Sequence, residues 1–228
     1  MPGMELLQIS FSHTCLKVRR AIEIKGLACT LRNINPMDRA PVRSVSSQGL
    51  VPVLVDGEAV ISDSTAILLH LEERYPAVPL LPADPAARAE CLVLEDWADA
   101  AFLDVTRRLA YAETLRTPGA IEKLFLPEAR GLARFIKGRA ARRAVARRFR
   151  ITPGSVARDD RVARRLAALA MQRLGGHPFL VGDRMTIADI ALAALASPLE
   201  HAGADLRADA GVKALLHWGA TVLKPDHA

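Results

Sequence analysis

The sequence predicts an α/β domain followed by an all-α domain, and three observations carry that prediction. The first 80 residues alternate short apolar runs with amphipathic stretches, in the order β-α-β and then β-β-α. A proline-dense stretch follows at 76–85 (PAVPLLPADP), where four prolines remove backbone donors and stop helices. Beyond residue 86 no strand pattern recurs and the apolar residues keep a helical period. The expected domains are therefore 1–78 and 86–228.

The elements follow in order. Residues 4–11 (MELLQISF) form a short apolar run suited to a strand. In 14–25, Val18, Ala21, Ile22 and Ile24 recur at helical spacing, and Gly26 sits where a helix C-cap belongs. Residues 29–34 read as a second strand, 35–49 as a loop rich in Pro, Arg and Ser, and 51–55 and 58–61 as two strands turning at Asp56-Gly57. Residues 62–75 form a helix with Ile67, Leu68 and Leu71 on one face. In the second half, 87–115 and 122–148 read as long helices. A third opens at Thr152-Pro153, a cap followed by proline at the first helical position, and ends at Gly175-Gly176. Residues 186–199 and 209–222 complete the set.

Composition narrows the function classes. Half of the 228 residues are hydrophobic, ample for a core and contrary to disorder. Three cysteines, Cys15, Cys29 and Cys91, make neither a disulfide framework nor a zinc spacing, so no metal is expected and a reducing compartment is. Residues 1–8 carry no basic residue and no long apolar run, unlike a signal peptide. No stretch approaches the roughly 20 apolar residues of a membrane span. A cytoplasmic protein is the expectation.

The net charge of +6 is concentrated. Residues 130–165 hold 13 Lys or Arg and 2 Asp, a net of +11, which leaves −5 for the remainder. Such a segment can attract nucleic acid or an anionic lipid surface. Arg outnumbers Lys 25 to 6 across the chain, which favours a solvated helix face instead. No nucleic-acid partner is expected, and weak membrane-surface contact by 130–165 stays open.

Three short motifs carry chemistry. Ser12-His13-Thr14-Cys15 follows a strand and opens a helix, where the helix N-terminus stabilises a thiolate. With serine at the first position, the hydroxyl can hydrogen-bond another molecule's thiolate and lower its pKa; alternatively it only caps the helix. Val51-Pro52 puts proline at the start of an interior strand, which suits an unusual bond or an edge. With a cis bond, Val51 could pair its backbone with an extended peptide. Asp63-Ser64 opens a helix whose free N–H groups and positive dipole end suit a carboxylate.

In their order and spacing these motifs resemble a known family. FSHTCLKVRRAIEIKGL (11–27), GLVPVLVD (49–56) and ISDSTAILLHLEERYP (61–76) are similar to the thioredoxin-like N-terminal domain of cytosolic glutathione transferases. PFLVGDRMTIADIALAAL (178–195) resembles the C-terminal signature of the same family, with Thr186 and Asp189 as an N-cap box. The resemblance is weak between 120 and 161.

It implies a thioredoxin-like domain that binds glutathione as co-substrate, an all-helical domain on the second-substrate side, and a homodimer. The implied activity is conjugation of the glutathione thiolate to a small electrophile. Ser12 resembles the catalytic serine of theta-type members. Val51 would pair with the cysteinyl part of glutathione, with Pro52 cis. Ser64 would take the γ-glutamyl carboxylate, and Asp63 would lie near the ammonium. Where many relatives have a polar residue before the Val-Pro pair this chain has Leu50, leaving Arg39 or Gln48 for the glycine end. His13 reads as an exposed loop residue, and Trp97, Tyr111 and Leu115 as core. Two alternatives stand beside the transferase: a thiol transferase acting through a mixed disulfide at Cys15, and a non-catalytic interaction module of the same fold.

Overall fold

The computed structural model describes residues 3–224, so the outermost two residues of the expected first domain and the last four of the second lie outside the described residues. Four strands form one mixed sheet: β1 (Met4–Gln8), β2 (Cys29–Asn33), β3 (Val53–Asp56) and β4 (Ala59–Ser62), in the order β2-β1-β3-β4. β1 runs parallel to β2, with Leu6 opposite Leu31, and antiparallel to β3, with Leu6 opposite Leu54. The parallel pair needs a crossover, supplied by helix α1 (His13–Ile24). β3 and β4 form a hairpin in which Asp56 pairs Ala59, so the two-residue loop is Gly57-Glu58, one position later than the sequence reading. Gly57 holds the positive φ of 63° that this loop requires.

Strand alternation sorts the core into two faces. Leu6 and Leu54 pack with Val18, Ala21 and Ile22 of α1 and with Ile67, Leu68 and Leu71 of α3 (Ser64–Arg74). Leu7 and Val53 point the other way, against Ile9, Ile34 and Val42. Val42 belongs to α2 (Ala40–Arg43), a single turn inside the segment read as loop. Other boundaries shift for definable reasons. Ser62 pairs with Val53, so β4 takes it and α3 starts at Ser64. β3 starts at Val53, placing Val51 and Pro52 just ahead of it.

The second half is helical: α4 (Pro85–Arg116), α5 (Ala120–Phe125), α6 (Gly131–Arg148), α7 (Pro153–Leu174), α8 (Ile187–Ala196), α9 (Ala204–Arg207) and α10 (Ala210–Leu223). The helix expected over 122–148 is thus two, interrupted around Pro127, which has no N–H to continue the ladder. The helix expected over 186–199 ends at Ala196 and continues as a 3-10 turn, Ser197–His201, that contains Pro198. Local signals work as expected elsewhere. Thr152 Oγ1 accepts from Ser155 N at 3.1 Å, and Gly175 closes α7 at a φ of 55°. Buried Asp189 accepts from Thr186 N at 2.8 Å and from Leu180 N at 2.7 Å.

One core crosses from the sheet domain into the helices. Met4, Leu6, Val18 and Ile22 belong to the same buried cluster as Phe102 of α4, Leu166 of α7, Leu192 of α8 and Leu215 of α10. The Arg20 Nε–H of α1 donates to the Val222 carbonyl at 2.8 Å, and the Ile187 N–H donates to the Leu80 carbonyl of the connecting segment at 2.9 Å. The basic stretch is largely solvated: α6 buries only Gly138, Ala141 and Val145. Its continuation in α7 pairs Arg158 with Asp159 at 2.9 Å and Arg164 with Asp160 at 2.9 Å. Among the described residues no helix is long and apolar enough to cross a membrane.

Candidate active site

Ser12 occupies the N-cap position of α1 with extended backbone angles (φ −80°, ψ 123°), but its side chain makes no capping hydrogen bond. Its hydroxyl instead pairs with Thr14 Oγ1 at 2.9 Å. The hydroxyl is therefore not committed to the helix's free N–H groups. Cys15, the third residue of the helix, is fully buried. Burial pushes its thiol pKa up, while hydrogen bonding from Ser12 and the Ile9 backbone and the charges of Arg19 and Arg39 pull it down without prevailing.

His13 is not the exposed loop residue expected from sequence. It is the first residue of α1 and is buried, with Nε2 lacking a hydrogen-bond partner. Burial, then the charge of Arg107, push its pKa from 6.5 down to about 3, against a hydrogen bond to the Leu103 backbone. The unfolded chain thus binds the extra proton between about pH 3 and 6.5. Stability that His13 allows at neutral pH is lost as pH falls through that window. Between pH 6.5 and 5 the loss should be about 2 kcal/mol, from 1.36 kcal/mol per unit. Urea unfolding at pH 7 and 5 checks it: His13→Gln should show a shallower decline, and equal declines would remove the assignment.

The Val51–Pro52 bond is cis, as the sequence reading expected. At the start of α3, Asp63 has a φ of 85°, and its carboxylate accepts from Thr65 N at 3.0 Å and Ala66 N at 3.1 Å. Asp63 therefore uses two of the free donors at that helix start, leaving the N–H and hydroxyl of buried Ser64. Behind them sits a group that sequence reasoning missed. Lys17 of α1, fully buried, donates to Thr65 Oγ1 at 3.2 Å, to Asp99 Oδ2 at 2.9 Å and to Glu95, both acids lying on α4. Burial raises the Glu95 carboxyl pKa; Lys17 pulls it down. Asp99 Oδ1 is buried without a partner.

Two adjoining cavities gather these groups. One of about 320 Å³ is lined by Ser12, Val51, Pro52, Asp63 and Ser64, the candidates of the transferase reading, together with Gln48, Leu50 and Asp99; Cys15, the candidate of the thiol-transferase alternative, is not among its lining residues. The other, of about 760 Å³, lies mainly between α1, α4, α5 and the 3-10 turn. Phe11, Ser12, His13, Arg107 and Tyr111 line both. Tyr111 is thus a wall residue as well as a packed one, whereas Trp97 packs edge-on against Phe102, ring centroids 5.5 Å apart, as core. Arg39, Arg107 and Arg148 also line the smaller cavity, and sequence spacing gives no hint that the last two meet there.

Comparison with known proteins agrees with this geometry. Residues 6–79 match the family model for the glutathione S-transferase N-terminal domain, and residues 155–224 match that for the C-terminal domain. A zeta-class glutathione S-transferase of Euphorbia esula is 41% identical over 87 residues, 36% of this chain and 39% of that protein. A probable maleylacetoacetate isomerase of Vibrio cholerae is 32% identical over 108 residues, 44% of this chain and 50% of that one. The chain therefore spans half or less of the length of these curated relatives. Among solved structures, the β-etherase LigF of Sphingobium sp. superposes with a TM-score of 0.71 at 21% identity, covering 95% of this chain and 94% of that one. A theta-class glutathione S-transferase of Xanthomonas axonopodis pv. citri, with glutathione bound, gives 0.66 at 24% identity over 98% of both chains. With both domain models matched in order and the thioredoxin-like sheet followed by a helical domain, the chain belongs to the cytosolic glutathione transferase superfamily.

Proposed function

We propose that the chain is a glutathione transferase that conjugates the glutathione thiolate to a small electrophile in the cytosol. The observation that carries this reading is the meeting of Ser12, Val51, Pro52 and Ser64 on one cavity that shares a wall with a larger one. In this reading residues 1–78 bind glutathione and residues 86–228 supply the second-substrate side. The Ser12 hydroxyl donates to the glutathione sulfur, favouring thiolate, and proximity does the rest, with no covalent intermediate on the protein. Val51 pairs through its backbone with the cysteinyl part, beside Pro52. Ser64 takes the γ-glutamyl carboxylate through its N–H and hydroxyl, with Asp63 and Asp99 near the ammonium. Arg39, with Gln48, takes the glycine carboxylate in place of the polar residue that Leu50 replaces.

The mixed-disulfide alternative at Cys15 is disfavoured by its full burial and raised thiol pKa, since exchange needs an accessible thiolate. Calorimetry tests the site. Ser64→Ala should weaken glutathione binding by about 1.5–3 kcal/mol, the worth of a hydrogen bond to a charged group. Unchanged affinity would sink the assignment, and a folded wild type that does not bind glutathione would favour the non-catalytic module. We further propose a two-fold homodimer, the commonest oligomer class. Sedimentation at working concentration should show twice the 24.7 kDa chain mass; a single-chain species would remove the claim.

A further inference from the structure

Three guanidinium groups line the smaller cavity from three separate elements: Arg39 just before α2, Arg107 on α4, and Arg148 at the end of α6. Among the described residues neither Arg39 nor Arg148 has a carboxylate within ion-pair distance, and the buried Nη1 of Arg39 has no hydrogen-bond partner. Arg107 reaches only Asp104, at 3.7 Å, and that carboxylate is mostly exposed. Of the acids in the same cavity, Asp63 caps α3 and Asp99 Oδ2 holds Lys17, and among the described residues neither pairs with these arginines. Burial first, and the charge of Arg148 to a lesser degree, disfavour the charged forms of Arg39 and Arg107. Like charges gathered without counter-charges in a partly dry cleft are stabilised when anions enter.

The glycine carboxylate of glutathione brings one negative charge to this end, against three positive ones. Arg107 is the member placed to use the surplus. Unlike Arg39 and Arg148, it lines the 760 Å³ cavity too, on the shared wall that carries Ser12. Its guanidinium carbon stands 5.6 Å from the centroid of the Phe149 ring. That ring begins an aromatic wall: Phe149 to Tyr111 at 4.7 Å, Tyr111 to Phe125 at 5.8 Å, and Phe125 to Phe11 at 5.7 Å. A cation over the first of a row of tilted and edge-on rings, next to a phenol that can donate, fits an unsaturated body whose ring can lie along this wall and which ends in a carboxylate.

We propose that the second substrate is a planar carboxylate-bearing electrophile, its carboxylate held by Arg107 and Tyr111 at the junction of the two cavities. This rests on the transferase reading, but the binding it requires can be measured without turnover. The probes are 4-nitrobenzoate and its uncharged counterpart 4-nitrobenzamide, titrated calorimetrically into the full chain with and without saturating glutathione. The benzoate should bind at least about tenfold more tightly than the amide, as a charge-assisted pair to arginine requires. The advantage should shrink with added salt and persist when glutathione is bound. Arg107→Met should abolish it, leaving amide affinity near its original value. Equal affinity of the two probes for the wild-type chain overturns the proposal, whatever the variant does. So does a benzoate advantage that survives Arg107→Met, or one that glutathione displaces, which would give the cluster to the glycine end. Failure of glutathione itself to bind would count against the transferase reading, while the benzoate preference measured without it still decides this one.

Discussion

Ser12→Ala should lower kcat/KM for conjugation by at least about tenfold, equivalent to ~1.4 kcal/mol of lost transition-state stabilisation, whereas Cys15→Ser should leave it largely intact. The expectation rests on how differently the two side chains are placed. Ser12 lines both cavities and its hydroxyl is not used to cap α1. It can therefore turn toward a sulfur without unmaking helix structure. Cys15 is sealed beneath it with no exposed surface. A pH–rate profile sharpens the test. If Ser12 stabilises the thiolate, the apparent pKa governing conjugation should rise in Ser12→Ala, because the hydrogen bond that favoured the charged sulfur is gone. Activity lost at Cys15 and kept at Ser12 would transfer the chemistry to the cysteine. No loss at either would favour a binding module.

Lys17→Met should be the most destabilising single change in the sheet domain, costing about 3–5 kcal/mol, the typical penalty for removing one partner of a buried ion pair. Lys17 is the one cation that the described structure places against Glu95 and Asp99, and Glu95 is as fully buried as Lys17 itself. Without it, two carboxylates face each other and Thr65 inside the joint of α1, α3 and α4. The triple variant Lys17→Met, Glu95→Gln, Asp99→Asn should recover much of the loss, since it removes the uncompensated charges rather than the packing. Urea titration of the three proteins decides the matter. A single variant within 1 kcal/mol of wild type would mean that solvent already compensates the cluster.

Much of this molecule is legible in the linear sequence because its signals are local. Gly57 marks the hairpin loop, Thr152-Pro153 the start of α7, Gly175 its end, and the Thr186–Asp189 pair the start of α8. Each acts through backbone geometry within a few residues of itself. The same holds for the pieces of the candidate site, since Ser12, Val51-Pro52 and Asp63-Ser64 each announce a helix start or a strand entry. The fold then brings these ends together on one cavity. What stayed illegible depends on long-range packing. His13 reads as exposed because nothing nearby shows that Leu103 and Arg107 of α4 will cover it. Arg39, Arg107 and Arg148 look like unrelated surface charges until a loop and two helices converge. The split of 122–148 into α5 and α6 around Pro127 is the exception, a local signal that the reading of one continuous helix passes over.

The continuous core has a consequence for how such a protein can change over time. The chain reads as two modules, yet α1 has one buried side against the sheet and another against α8, and its Arg20 is tied to the carbonyl of Val222 near the far end of the chain. A graft that exchanged the helical half for that of a relative would confront the first half with a foreign surface where α1 now packs on α8 and one buried cluster includes Val18, Ile22, Leu192 and Leu215. New substrate preferences are therefore more readily acquired by replacing the cleft-facing side chains of α4 and α6, which touch solvent, than by shuffling whole halves. Inheritance in this architecture favours retouching one wall over exchanging rooms.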